Sequence, residues 1–109
     1  MKALLSPDVR FFTPVTYLPY VGIEAVAGVL FGIMNTFTQF AYTDELSDGS
    51  STALMFDASV GDVSLQGVDF LRDGADGKIV EFIDMMRPMS AVRVVGEEMA
   101  RRVNDIPRG

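Results

Sequence analysis

From Gln39 to Arg87 the sequence is a succession of strand-length segments, "QFAYTDEL", "TALMFDASV", "VSLQGVDFLR" and "KIVEFIDMMR", broken by turn signals at "SDGSS", Gly61-Asp62 and "DGADG". Strands joined by connections this short lie antiparallel beside one another, so the run predicts a four-stranded meander. Upstream, "DVRFFTPV" is rich in β-formers and stops at Pro14, which suits a first strand at an edge or a strand end. "TYLPY" then crosses to "VGIEAVAGVLFGIMNTF", where Ile23, Val26, Ala27, Leu30, Met34 and Phe37 recur at helical spacing and mark one core face. Ala25, Val29 and Phe31 are apolar too, and Gly28 and Gly32 leave a flat strip, so this helix is expected to be covered on more than one side. After Pro88, Val92, Val95, Met99 and Val103 share a helical face that the charged residues largely avoid, predicting an amphipathic cover on a sheet or a partner. A strand, a helix, four strands and a helix make an α+β fold, and 109 residues suit a single domain, 1–109, with one core.

What the chain lacks narrows its chemistry. With no Cys and no His it cannot build the usual zinc sites, a Ser-His-Asp triad or a Cys-His nucleophile. Carboxylate, tyrosine, arginine, lysine and hydroxyl chemistry remain, or binding without reaction. The formal charge of −6, from 9 basic and 15 acidic residues, would repel phosphate backbones, so no nucleic acid partner is expected. The longest apolar stretch contains Glu24 and falls short of the roughly 20 residues that a membrane span needs. "MKALLSPDVRFF" has neither the apolar run nor the small-residue cleavage site of a signal peptide, and only the terminal "NDIPRG" is polar enough for a disordered tail. A cysteine-free chain is compatible with the cytoplasm, the expected location.

The segment "GVDFLRDGADGKIVEFIDMM" places two aspartates where its alternation calls for apolar side chains. Asp69 shares a parity with Val63, Leu65, Gly67 and Leu71, and Asp84 with Val80, Phe82 and Met86. If the hairpin pairs Asp73 with Lys78, Asp69 faces Phe82 and Asp84 lies diagonally off it on the same face. Two carboxyls on an apolar face are pushed toward protonation by desolvation and by mutual repulsion, the division between donor and base that acid-base catalysis uses. A structural reading stands beside this one: Arg72, Arg87, a backbone N–H, or the hydroxyl of Tyr17 or Tyr20 would satisfy a buried aspartate equally well.

The order of elements and the stretch "GVDFLRDGADGKIVEF" resemble the nuclear transport factor 2-like superfamily, over roughly residues 4 to 88. This superfamily, with its SnoaL-like and ketosteroid isomerase-like members, has a cone-shaped, curved antiparallel sheet wrapped around a long helix. Asp69, three residues before Arg72 and followed by the Gly77-Lys78-Ile79 turn, falls on the place of the isomerases' oxyanion-donating Asp. "KIVEFIDMM" is similar to the last long strand of SnoaL-like cyclases, with Asp84 on the place of the acid or base. The isomerases' base precedes a Pro in the first strand, where this chain has Thr13, and "MKALLSPDV" looks like the end of the second family helix, so the N-terminal helices are expected to be mostly missing, through a late start or replacement by a partner. An epoxide hydrolase is rejected because Gly67 stands where its Arg would be.

The resemblance implies a homodimeric domain binding a small hydrophobic molecule, with Asp69 and Asp84 as catalytic candidates and Phe11, Thr13, Tyr17, Leu65, Phe82 and Met86 lining the pocket. No cofactor and no metal is expected. If catalytic, Asp84 is the base and Asp69 the protonated donor of a lyase or isomerase that moves a proton next to a carbonyl. The alternative is a noncatalytic dimeric scaffold whose buried aspartates are structural.

Overall fold

In the computed structural model, which describes residues 4–103, the segments from Gln39 to Arg87 fold as the expected meander. Its strands are β3 (Gln39–Ser47), β4 (Ser51–Val60), β5 (Val63–Asp73) and β6 (Ile79–Arg87), and they follow β1 (Leu5–Phe12), β2 (Tyr20–Val21) and helix α1 (Ile23–Thr36). Helix α2 (Met89–Val103) follows them. All six strands join one curved sheet in the order β2-β1-β6-β5-β4-β3. The two-residue β2 was not expected. Nor was the sheet's mixed character: β1 runs parallel to β6, with Phe11 opposite Phe82 and Phe12 opposite Ile83, while the other neighbours are antiparallel. A parallel neighbour requires a long crossover, here the whole of α1 and the meander.

Leu5 already lies in β1 and is buried, so the strand begins before Asp8 and the end of a family helix expected around "MKALLSPDV" is absent from residue 5 onward. The expectation for "NDIPRG" falls outside the described residues. Gly22 opens α1 with φ of 93°, a backbone that L side chains avoid, and its N–H donates to the Val9 carbonyl at 2.8 Å, tying the helix start to β1.

Both helices cover the inner face of the sheet and join its core, where Val9, Phe11, Val26, Val29, Phe56 and Val95 are buried completely or nearly so. Of the expected face of α1, Val26 and Leu30 are buried and Ile23, Ala27 and Phe37 pack half-buried against the core; Ala25, Val29 and Ile33 join them, while Met34 is 47% exposed. A helix apolar all round does not reveal its own phase; contacts with β1 and α2 set it. On α2 the buried residues are Ala91, Val95 and Met99, with Val92 half-buried.

The outer face bears a different pattern. Glu81 on β6 accepts from Arg10 Nη2 at 3.0 Å and from Arg72 Nε at 2.8 Å, bridging three adjacent strands. Beside this bridge Met55, Val68 and Met85 form an apolar row across β4, β5 and β6, with Met85 61% exposed.

Candidate functional site: a facing pair of aspartates

The β5–β6 hairpin closes with Gly74 N–H donating to the Lys78 carbonyl at 2.8 Å, and Asp73 pairs with Ile79. A bulge between Arg72 and Asp73 then shifts the register, so Asp69 stands directly opposite Asp84 and Phe82 stands opposite Leu71. The expected Asp69–Phe82 pairing is thus wrong by two residues, which keeps both aspartates on one face and brings them together. Directly opposed residues of an antiparallel pair have Cβ atoms about 5 Å apart, close enough for the carboxyls to meet.

They do so in a nearly water-free place. Asp69 is 8% exposed and Asp84 5%, and the two face each other across the hairpin. Two carboxyls this close and this buried repel each other when both are ionised, which favours keeping a proton on the pair. Desolvation raises the pKa of Asp69 to about 6. Desolvation and the charge of Asp69 raise that of Asp84 to about 8. Both are pushed toward protonation, and a pair coupled this closely titrates in two steps that favour holding one proton near neutral pH. The buried Oδ1 of Asp84 has no hydrogen-bond partner among the described residues.

The arginines offered by the structural reading are engaged elsewhere: Arg72 with Glu81, and Arg87 with the Gln66 Oε1 at 3.4 Å. Phe82 and Met86 flank Asp84 on the same face of β6, both half-buried, and Phe11 stands edge-on to Phe82 with ring centroids 4.9 Å apart. Thr13 is buried just past β1, where its Oγ1 accepts the Val15 N–H at 3.0 Å. Leu65 is buried opposite Ala58, four residues along β5 from Asp69 and so about 13 Å away. Tyr17 is 95% exposed, its ring in solvent rather than in a pocket wall. The structure thus gathers Phe82 and Met86 around the pair, backs them with Phe11, and does not bring Leu65 or Tyr17 to it.

Three residues beside the pair escaped the sequence reading. Leu54 faces Asp69 from β4. Gly67, two residues before Asp69, has no room for a side chain: an added Cβ would collide with the Phe56 ring and lie 2.7 Å from the Met85 carbonyl. Tyr42 on β3 feels both aspartates, for burial first and then the charges of Asp69 and Asp84 raise its pKa. The parity of Phe40 and Tyr42 in "QFAYTDEL" was a signal for an inward Tyr42. A cleft of about 400 Å³, lined by Tyr42, Thr43, Asp44, Glu45 and Leu54, opens where a bulge between Tyr42 and Asp44 bends β3. Among the described residues no group of three or more carboxylates is placed to hold a metal ion.

No family model and no curated protein matches the sequence. Solved structures do match. A bacterial protein with a cystatin-like fold from Silicibacter pomeroyi is 35% identical with a TM-score of 0.91, over 93% of this chain and 72% of its own. A steroid delta-isomerase from Pseudomonas aeruginosa is 42% identical with a TM-score of 0.91, over 95% of this chain and 77% of its own. The chain belongs to the nuclear transport factor 2-like superfamily. A de novo designed protein with a curved β-sheet shares the superfamily's fold at 16% identity, with a TM-score of 0.72 over 88% of this chain and 78% of its own. The nuclear transport factor 2-like scaffold therefore says little about chemistry by itself; what is particular to this chain is its buried pair of aspartates.

Proposed function

We propose that this domain binds a small hydrophobic carbonyl compound against Asp69 and Asp84 and moves a proton on the carbon next to the carbonyl, as an isomerase or lyase does. The observation that carries this reading is the direct opposition of two buried carboxyls on the inner face of the sheet. On ligand binding the carbonyl oxygen takes a hydrogen bond from Asp84. Asp69, ionised, removes the α-proton; the C–H electron pair becomes a C=C bond, and the carbonyl π pair moves to the oxygen, where Asp84 stabilises it. Where the substrate carries a β,γ double bond, return of the proton to the γ-carbon completes an isomerisation to the conjugated ketone. Loss of a group on the β-carbon completes an elimination.

The test is α-deuterium exchange into a panel of cyclic ketones, followed by NMR. The wild type should accelerate exchange, and Asp69→Asn should lose about 10²- to 10⁴-fold of that rate. Equal rates with wild type and variant would remove the catalytic reading.

We further infer that the domain pairs with a second copy through the outer face. The exposed Met55–Val68–Met85 row, framed by the Arg10–Glu81–Arg72 bridge, supports a self-complementary contact. Dimerisation is also what the noncatalytic scaffold reading requires, so it does not choose between the two. The absence of cysteine supports the cytoplasm as the place of action. Among the described residues no helix is long and apolar enough to cross a membrane.

A further inference from the structure

On the outer face, past the Met55–Val68–Met85 row toward the β3–β4 turn, Leu46, Ala53 and Phe70 make a second apolar row across β3, β4 and β5. With Asp48, Ser51 and Arg72 they line a cleft of about 400 Å³, and Leu46 is 76% exposed. The turn holds Asp48 in place: its Oδ1 accepts the N–H groups of Ser51 at 2.8 Å and Ser50 at 3.1 Å, which keep its pKa below that of an ordinary aspartate. The ionised carboxylate has lone pairs left for a further donor. Arg72 is held as well, its Nε donating to Glu81 at 2.8 Å and its Cζ lying 4.9 Å from the centroid of the Phe70 ring. Its Nη hydrogens bond to none of the described residues, and because Glu81 is shared with Arg10, this cluster keeps an excess of positive charge. Arg72 stands directly opposite Ser51, one strand spacing or about 5 Å away, and Ser51 holds Asp48. Two opposite charges thus line one cleft at close range, and among the described residues no ion pair joins them.

We propose that this cleft binds a free α-amino acid with an apolar side chain, its carboxylate on the Arg72 guanidinium, its ammonium on the Asp48 carboxylate and its side chain on Leu46, Ala53 and Phe70. The site lies on the face of the sheet opposite to the aspartate pair and does not depend on how that pair is read. Charge selects the ligand class. A simple carboxylate would meet the like charge of Asp48 and a simple amine that of Arg72, whereas a zwitterion matches both, with the guanidinium fork suited to two parallel bonds with the carboxylate. The two ends of a peptide carry these charges on different residues, so a free amino acid is what presents them side by side. The apolar row then favours phenylalanine or leucine over glycine.

The experiment is an amide NMR titration of the full chain with L-phenylalanine, with phenylpropanoate, which lacks the ammonium, with phenethylamine, which lacks the carboxylate, and with glycine, which lacks the side chain. It is run on the wild type, Asp48→Asn and Arg72→Gln, each variant first shown by its spectrum to be folded; asparagine keeps an oxygen for the Ser50 and Ser51 N–H groups. Phenylalanine should shift the amides around the cleft saturably. Each variant should weaken it at least about tenfold, the worth of one hydrogen bond to a charged group, and the three partial ligands should bind the wild type more weakly by a similar factor. If either singly charged ligand binds as tightly as phenylalanine, the cleft reads one charge and the inference fails. Equal binding of glycine would show that the apolar row takes no part, and would overturn it too. If phenylalanine gives no saturable shifts up to its solubility, or either variant binds it as the wild type does, the site does not exist. Shifts centred on Asp69 and Asp84 would put the ligand on the inner face, overturning the cleft and leaving the aspartate site standing. The comparison of ligands on the wild type decides the matter whichever variants fold.

Discussion

Asp69 and Asp84 make the folded state bind more protons than the unfolded chain. Both are raised, to about 6 and about 8, above the roughly 3.9 of an exposed aspartate, so the stability they contribute is fully present below about pH 4 and is lost as pH rises through about 8. Denaturant unfolding at pH 5, 7 and 9 should show stability falling across that range, by at most about 1.4 kcal/mol per pH unit for each proton released. Asp84→Asn, which cannot ionise, should flatten the curve above about pH 6; an unchanged slope would mean that the pair does not hold its proton. That these aspartates sit on the apolar parity was legible in the alternation of "GVDFLRDGADGKIVEFIDMM". Their direct opposition was not, because the bulge at Arg72 lies in backbone geometry that the turn residues do not encode. For Tyr42 the parity it shares with Phe40 marks an inward side chain, but no local pattern records which strands the sheet places beside it.

At the scale of elements, β5 owes its inner surface to the absence of one side chain. Gly67→Ala would force its methyl into the Phe56 ring and the Met85 carbonyl, and should cost about 1–3 kcal/mol by overpacking, read from the denaturation midpoint. The meander was visible in the sequence because tight turns between alternating segments leave little choice. The parallel pairing of β1 with β6 was not, since a partner some seventy residues away leaves no mark on local alternation. Helix α1 lies between these cases: its existence and most of its buried face were plain from the apolar spacing, but not that Ile33 rather than Met34 turns inward. Its observed orientation predicts that Ile33→Ala costs about 2–5 kcal/mol, while Met34→Ala, half in solvent, costs less than about 1 kcal/mol. Equal costs would restore the face expected from sequence.

For the whole molecule the proposed pairing through the outer face makes a prediction about the state of association. Light scattering with size-exclusion chromatography should give a dimer, and Met85→Asp, which sets a charge in the apolar row, should give a folded monomer. A wild-type monomer at high concentration would end the dimer reading while leaving the aspartate site on the opposite face untouched. The sheet's mixed topology also bears on how the chain is made. β1 emerges early in synthesis but pairs with β6 on its long edge, so the nascent chain carries β1 without that partner until residues 79–87 have been added. The hairpin that brings the aspartates together and the strand that completes the sheet thus arrive in the same stretch of translation, and until then a truncated chain has neither a closed core nor a site.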